Sequence, residues 1–283
     1  MFNSQLTEAL QRFTTVMLPL SEKDLEREWK WKDHDEEGIR FAFFVTLQEL
    51  RQLAVTLSAV RSRPTAAQHI LGQYHAAYMD LQAAVLGLSN VDAERPPAEG
   101  EWSVKQAYTH ILGTDFGFSA VVRYALERHR SNTWTPDRIP EEEYPRLYGI
   151  SDEEYDALKA SPFDQMRSFH RRLHLRILEE FATISDRELD LPSTFWEDTR
   201  FPIRHRLHRY EAHFTQHTIQ IDKTMVAIGQ PPSESKRLLR RIHAALAEAE
   251  GWMIGTENMD DAVIHATASS IAERTKEIRG LLP

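Results

Sequence analysis

Thirteen histidines stand out in this chain. Histidine is the commonest side-chain metal ligand and the usual acid–base group near neutral pH. Two pairs, His170/His174 and His213/His217, lie four residues apart in stretches whose apolar spacing predicts helix. That separation is about one helical turn, so each pair presents two imidazoles on one face, able to grip one ion. Around the second pair, Tyr210, Phe214, His217, Ile221, Met225 and Ile228 share an inward stripe, with His213 at its edge. Buried imidazoles need partners, because unpaired polar groups in a core are costly. A metal would satisfy both; so would hydrogen bonds to neighbouring helices, or solvent. In the other pair, His170 lies near the stripe of Met166, Leu173 and Ile177 and reads as pocket-lining. His174, further round beside Arg171 and Arg172, reads as surface.

A metal needs a third ligand. His110 is the candidate, on a helix that begins after Trp102 and Ser103. Gly113, Thr114 and Gly117 follow within two turns. Small residues there leave room for a ligand or water, or permit close helix packing. Glu211, Asp115 and His75 are the general-base candidates nearest these ligands, and each also reads as an ordinary helix residue.

The elements that must position these residues are helical. Leu, Ala, Glu and Arg fill the long segments, while runs of Val, Ile and Thr are rare. Apolar periodicity predicts helices over 3–18, 36–60, 65–88, about 103–129, 162–185 and 202–229, with a last pair after Ser233 broken near Gly251 to Asn258. In the second of these, Phe43, Phe44, Leu47, Leu50 and Leu57 read as a core stripe. The stretch Glu26–Asp35 reads as a charged turn anchored by Trp29 and Trp31. Ser103 and Ser151 are N-caps, and Gly229 followed by Pro231-Pro232 is a stop. Residues 131–150, with Pro136, Pro140 and Pro145, form an irregular excursion or lid.

Composition bounds the function. The 34 basic and 43 acidic residues give a net charge of −9, with arginines interspersed among acids. No basic surface of the kind nucleic acids require is visible. There are no cysteines, so disulfides, iron–sulfur clusters and Cys-ligated zinc are excluded. That absence fits a cytoplasmic protein. Met1 to Leu20 lack a basic region followed by an apolar run, so no signal peptide is expected. No apolar stretch is long enough to span a bilayer, so no membrane association is expected.

Two segments carry a resemblance. Pro97 to Ile111, with Trp102, the capping Ser103 and His110, resembles the second-helix signature of the DinB/YfiT-like superfamily. Tyr210 to Ile221, with His213, His217 and a nearby glutamine, resembles its fourth-helix signature. The resemblance implies an all-α, DinB-like four-helix bundle over 65–230. Its three histidines, His110, His213 and His217, would hold a divalent metal, often nickel or zinc. Residues 1–64 are then an N-terminal helical extension, and 231–283 a C-terminal helical pair packed on the bundle. These additions cover the bundle or form a homodimer interface. The superfamily includes S-transferases using mycothiol or bacillithiol and a maleylpyruvate isomerase. The implied function is a metal-dependent enzyme acting on a small-molecule substrate. It would transfer a low-molecular-weight thiol cosubstrate to an electrophile, or hydrolyse a small substrate. The alternative is a non-catalytic metal- or small-ligand-binding stress protein, and a third reading is a bundle that metal merely stabilises.

Overall fold

The computed structural model describes residues 2–34, 37–133, 137–197, 199–256 and 261–282. Pro136, the first residue of the expected 36–60 helix and part of the expected break at 251–258 lie outside the described residues. Twelve α-helices are present among the described residues: α1 Ser4–Met17, α2 Glu22–Leu25, α3 Phe41–Val60, α4 Ala66–Ala84, α5 Asn90–Glu94, α6 Val104–Arg130, α7 Tyr144–Tyr148, α8 Asp152–Ala160, α9 Phe163–Phe181, α10 Ile203–Ala227, α11 Glu234–Gly251 and α12 Asp261–Leu281. The expected all-α class holds. The one sheet among the described residues pairs β1, Pro192–Ser193, with β2, Phe201–Pro202, antiparallel. No helix among the described residues is long and apolar enough to cross a membrane.

Helix starts follow side-chain chemistry. Ser103 accepts the backbone N–H of Gln106, whose side chain answers to the Ser103 N–H, a reciprocal capping box. Ser151 and Glu154 repeat the device at α8. Ser233 caps α11. The α10 chain leaves its helix through Gly229, whose φ of +76° few other residues accept. The irregular 131–150 segment carries a 3₁₀ turn at Glu141–Glu143 and the short α7.

The chain divides into two compact units. The first comprises residues 1–63, 79–87 and 231–283, so both terminal segments contribute to one unit. Its core gathers Leu10 and Phe13 of α1, Phe43 and Leu50 of α3, Ile242 of α11 and Ile271 of α12. Phe44 departs from the expected core stripe: it is 47% exposed, because α3 is apolar on too many sides to bury them all. Trp29 and Trp31 are anchors as expected, stacked with ring centroids 5.8 Å apart and buried. The fully buried Arg274 lies over the Trp31 ring and is paired with Glu49, which compensates its charge.

The second unit comprises residues 64–78 and 88–230. Its bundle is built from the first part of α4 with α6, α9 and α10. Aromatic rings knit the four together. Tyr74 of α4 sits 4.5 Å from Tyr210 of α10, Tyr78 of α4 lies 5.3 Å from His170 of α9, and Phe118 of α6 meets Tyr210 at 5.4 Å, centroid to centroid.

Candidate metal centre

The capping box at Ser103 sets the phase of α6, and that phase turns His110 toward α10. On α10, His213 and His217 follow one turn apart. The result is that His110, His213 and His217 each offer a ligand atom within 4.8 Å of the others. Nε2 of His110 and Nε2 of His213 are 3.1 Å apart. Two nitrogens bound tetrahedrally to one zinc stand roughly 3.3 Å apart, given bonds of about 2.05 Å. The spacing is therefore that of two ligands to one ion.

The surroundings fit the same chemistry. Nδ1 of His217 meets Gln220 Oε1 at 2.8 Å. An amide oxygen only accepts, so Nδ1 carries the proton and Nε2 presents its lone pair; metal-bound histidines are commonly held by such a second partner. The indole of Trp102 stacks on His217 with centroids 6.4 Å apart and also touches His110. The Thr114 hydroxyl lies 3.4 Å from Nε2 of His213, while Nδ1 of His213 is buried with no partner among the described residues. An ion between the facing Nε2 atoms of His110 and His213 would engage the lone pairs of both. Burial lowers the His213 pKa to about 3, helped by its His217 and His110 neighbours and by Arg209. Burial first, then His217, also lowers that of His110. Neutral imidazole is the metal-binding form. His213 and His217 are buried, whereas His110 is exposed.

His110 and His213 line a cleft of about 1330 Å³. Its walls include Trp102, Phe118, Tyr155, Phe195, Trp196 and Arg209. The two α6 glycines make this shape. A Cβ on Gly113 would stand 2.8 Å from the Tyr155 hydroxyl, and one on Gly117 would stand 2.6 Å from Phe195 Cζ. The room they leave is filled by cleft-wall aromatics rather than by an empty channel.

The other histidine pair behaves differently from expectation. His170 is fully buried and does not line this cleft; its Nδ1 meets the Tyr108 hydroxyl at 2.9 Å and its Nε2 meets Asp115 Oδ2 at 2.8 Å. His174 is 1% exposed rather than at the surface. It stacks on Tyr78 at 3.7 Å and shares a 2.9 Å contact with Nδ1 of His75. Helical phase explains the miss: His174 lies on the side facing α4, while the charge of Arg171 and Arg172 is carried away to the opposite face. Among the described residues, this pair belongs to no group of three metal-competent side chains.

None of the general-base candidates lines the cleft. Asp115 is buried beneath Tyr74 and His170, His75 is buried against His174, and Glu211 accepts from Thr215 on α10 itself. Tyr155, Phe195 and Trp196 escape sequence reading because they arrive from α8 and from the loop before β2, with no local pattern linking them to His110. Arg209 and Gln220 had a signal: they stand four residues before His213 and three after His217, on the ligand face.

The family model of the DinB superfamily matches residues 73–221. That span contains α6, α9 and most of α10, with all three histidines. No curated protein and no solved structure matches the chain.

Proposed function

The chain belongs to the DinB superfamily, and from that premise we propose that it is a metal-dependent enzyme acting on a small molecule held in the cleft. His110, His213 and His217 hold one divalent ion, nickel or zinc. The observation that carries this reading is the convergence of three imidazoles within 4.8 Å of one another, two of them, His110 and His213, lining the cleft. Three protein nitrogens leave coordination positions open, and a divalent ion there supplies Lewis-acid polarisation and a lowered pKa for a bound thiol or water.

The chain's own residues do the rest. Gln220 holds the His217 ring in one tautomer. Trp102 shields the histidines from bulk water on one side. The cleft exceeds the roughly 300–1,000 Å³ of ordinary single-ligand pockets, so it suits two reactants together. We therefore favour transfer of a low-molecular-weight thiol to an electrophile. The thiol loses its proton to solvent, its sulfur bonds the electrophilic carbon, and the leaving group departs with the electron pair of the broken bond. With no cysteine in the chain, that sulfur must come from outside. A cysteine-free protein suits a reducing, cytoplasmic setting. Hydrolysis of a small substrate uses the same site with water in place of the thiol.

A second reading is a metal- or small-ligand-binding protein without turnover. It is favoured by the fact that Glu211, Asp115 and His75 all lie off the cleft lining. The test is elemental analysis of untagged protein purified without added metal, followed by thiol titration of the cobalt-substituted form. The enzyme reading expects one equivalent of metal, a sulfur-to-cobalt charge-transfer band and conjugation of an electrophile. Metal without band or conjugation supports the second reading.

A further inference from the structure

Three cationic side chains line the cleft: Lys105, Lys159 and Arg209. Two are already neutralised. Lys105 Nζ lies 2.8 Å from Glu94, and Lys159 Nζ lies 2.5 Å from Asp156. Arg209 has no hydrogen-bond or carboxylate partner among the described residues, although it is half-buried. It stands on α10 one turn before His213, near enough for its charge to bear on that imidazole. A guanidinium is a planar fork of donors that matches a carboxylate edge-on through two parallel hydrogen bonds.

The apolar side of the cleft is as specific as the charge. Phe195 and Trp196 rings lie 4.5 Å apart, and Phe118 lies 5.8 Å from Trp196. Trp196 is 61% exposed and Trp102 40% exposed. Large aromatic faces gathered at a concave surface are the usual walls for an apolar ligand body.

We propose that Arg209 is the anion anchor of this cleft and that its ligand is a monocarboxylate with an aromatic or apolar body. This rests on the cleft being the substrate site, as inferred above. A single cation unpaired among the described residues matches a single negative charge. A phosphate dianion would be left half compensated, and it would face Glu101, which also lines the cleft.

The experiment uses full-length protein stripped of metal by a chelator, so that no ion competes for the carboxylate. The probes are 3-phenylpropanoate, its neutral primary amide and phenyl phosphate, each followed by tryptophan fluorescence. Charge-assisted hydrogen bonding predicts that the carboxylate binds roughly 10–100-fold tighter than the amide. Arg209→Gln should bring that ratio to about one, and Arg209→Lys should retain part of it. Equal binding of carboxylate and amide by the unaltered protein overturns the proposal, and this arm needs no variant to fold. So does a preference that survives in R209Q, or phenyl phosphate binding more tightly than the carboxylate. Metal content, measured separately, keeps the two readings apart. Protein that takes up no metal but shows the Arg209-dependent preference loses the metal-enzyme reading and keeps this one. Protein that takes up metal without that preference does the reverse.

Discussion

Two clusters of three histidines share one bundle and have opposite fates. His75, His170 and His174 lie in its interior, where ring nitrogens meet Asp115, Tyr108 or each other, and His174 stacks on Tyr78 and meets Tyr74 edge-on, its Nδ1 buried with no partner among the described residues. His110 and His213 line a cleft with His217 beside them, and the three offer ligand atoms within 4.8 Å of one another. Both clusters contain an i, i+4 pair on a long helix. The difference lies in what surrounds the nitrogens: both ring nitrogens of His170 are engaged by Tyr108 and Asp115 inside the bundle, whereas three imidazoles converge beside a cleft from which a ligand can reach them. The helix α6 serves both, since it carries His110 on one side and Asp115 on the other.

The largest expected effect separates the clusters by metal content. The triple variant H110A/H213A/H217A should retain no metal after dialysis, and each single variant should lose more than the roughly 100-fold that removal of a supporting partner costs. His174→Gln should leave metal content unchanged. A triple variant that keeps its metal would move the assignment to the interior cluster. Next in size is stability. His170→Ala strips Asp115, a buried carboxyl, of its imidazole partner, and should cost about 3–5 kcal/mol in urea unfolding. The triple variant should cost less in the absence of metal, because the cleft-wall nitrogens make few contacts with protein donors.

A smaller effect tests how His217 is held. Gln220→Ala should weaken metal binding about 10–100-fold while leaving metal-free stability little changed. Chelator competition reads the first and thermal melting of the metal-free protein the second.

The interior cluster also has a pH signature. Burial, then His75 and His170, hold the His174 pKa well below its ordinary 6.5. The unfolded chain protonates this imidazole first as pH falls, so its contribution to stability is complete above about 6.5 and is lost progressively below it. The slope is at most about 1.4 kcal/mol per pH unit. His174→Gln should flatten that part of the metal-free protein's stability–pH curve; an unchanged slope would remove His174 as its source. Smallest of all is the cap: Ser103→Ala should cost about 1 kcal/mol in thermal or urea unfolding.

Much of the bundle was legible because its signals are local. Periodic apolar residues, the Ser103 and Ser151 caps and the Gly229–Pro231–Pro232 stop are all written within a few turns of the helices they delimit. The triad was partly legible for the same reason: one turn joins His213 to His217, and the flanking segments resemble a family signature. Sequence alone could not decide between the two histidine pairs, because i, i+4 spacing says which side chains share a face and nothing about what that face meets. It therefore read His174 as surface, although α9 turns it onto Tyr78 and His75. Nor could it assemble the cleft wall. Tyr155 and Phe195 reach Gly113 and Gly117 from segments about 40 and 80 residues away in the chain, and such contacts depend on loop paths and packing, which leave no periodic trace. What the sequence determined by itself was which residues can act together along one helix. The tertiary structure decided which nitrogens remain unsatisfied, because that depends on every donor and acceptor that other helices bring near.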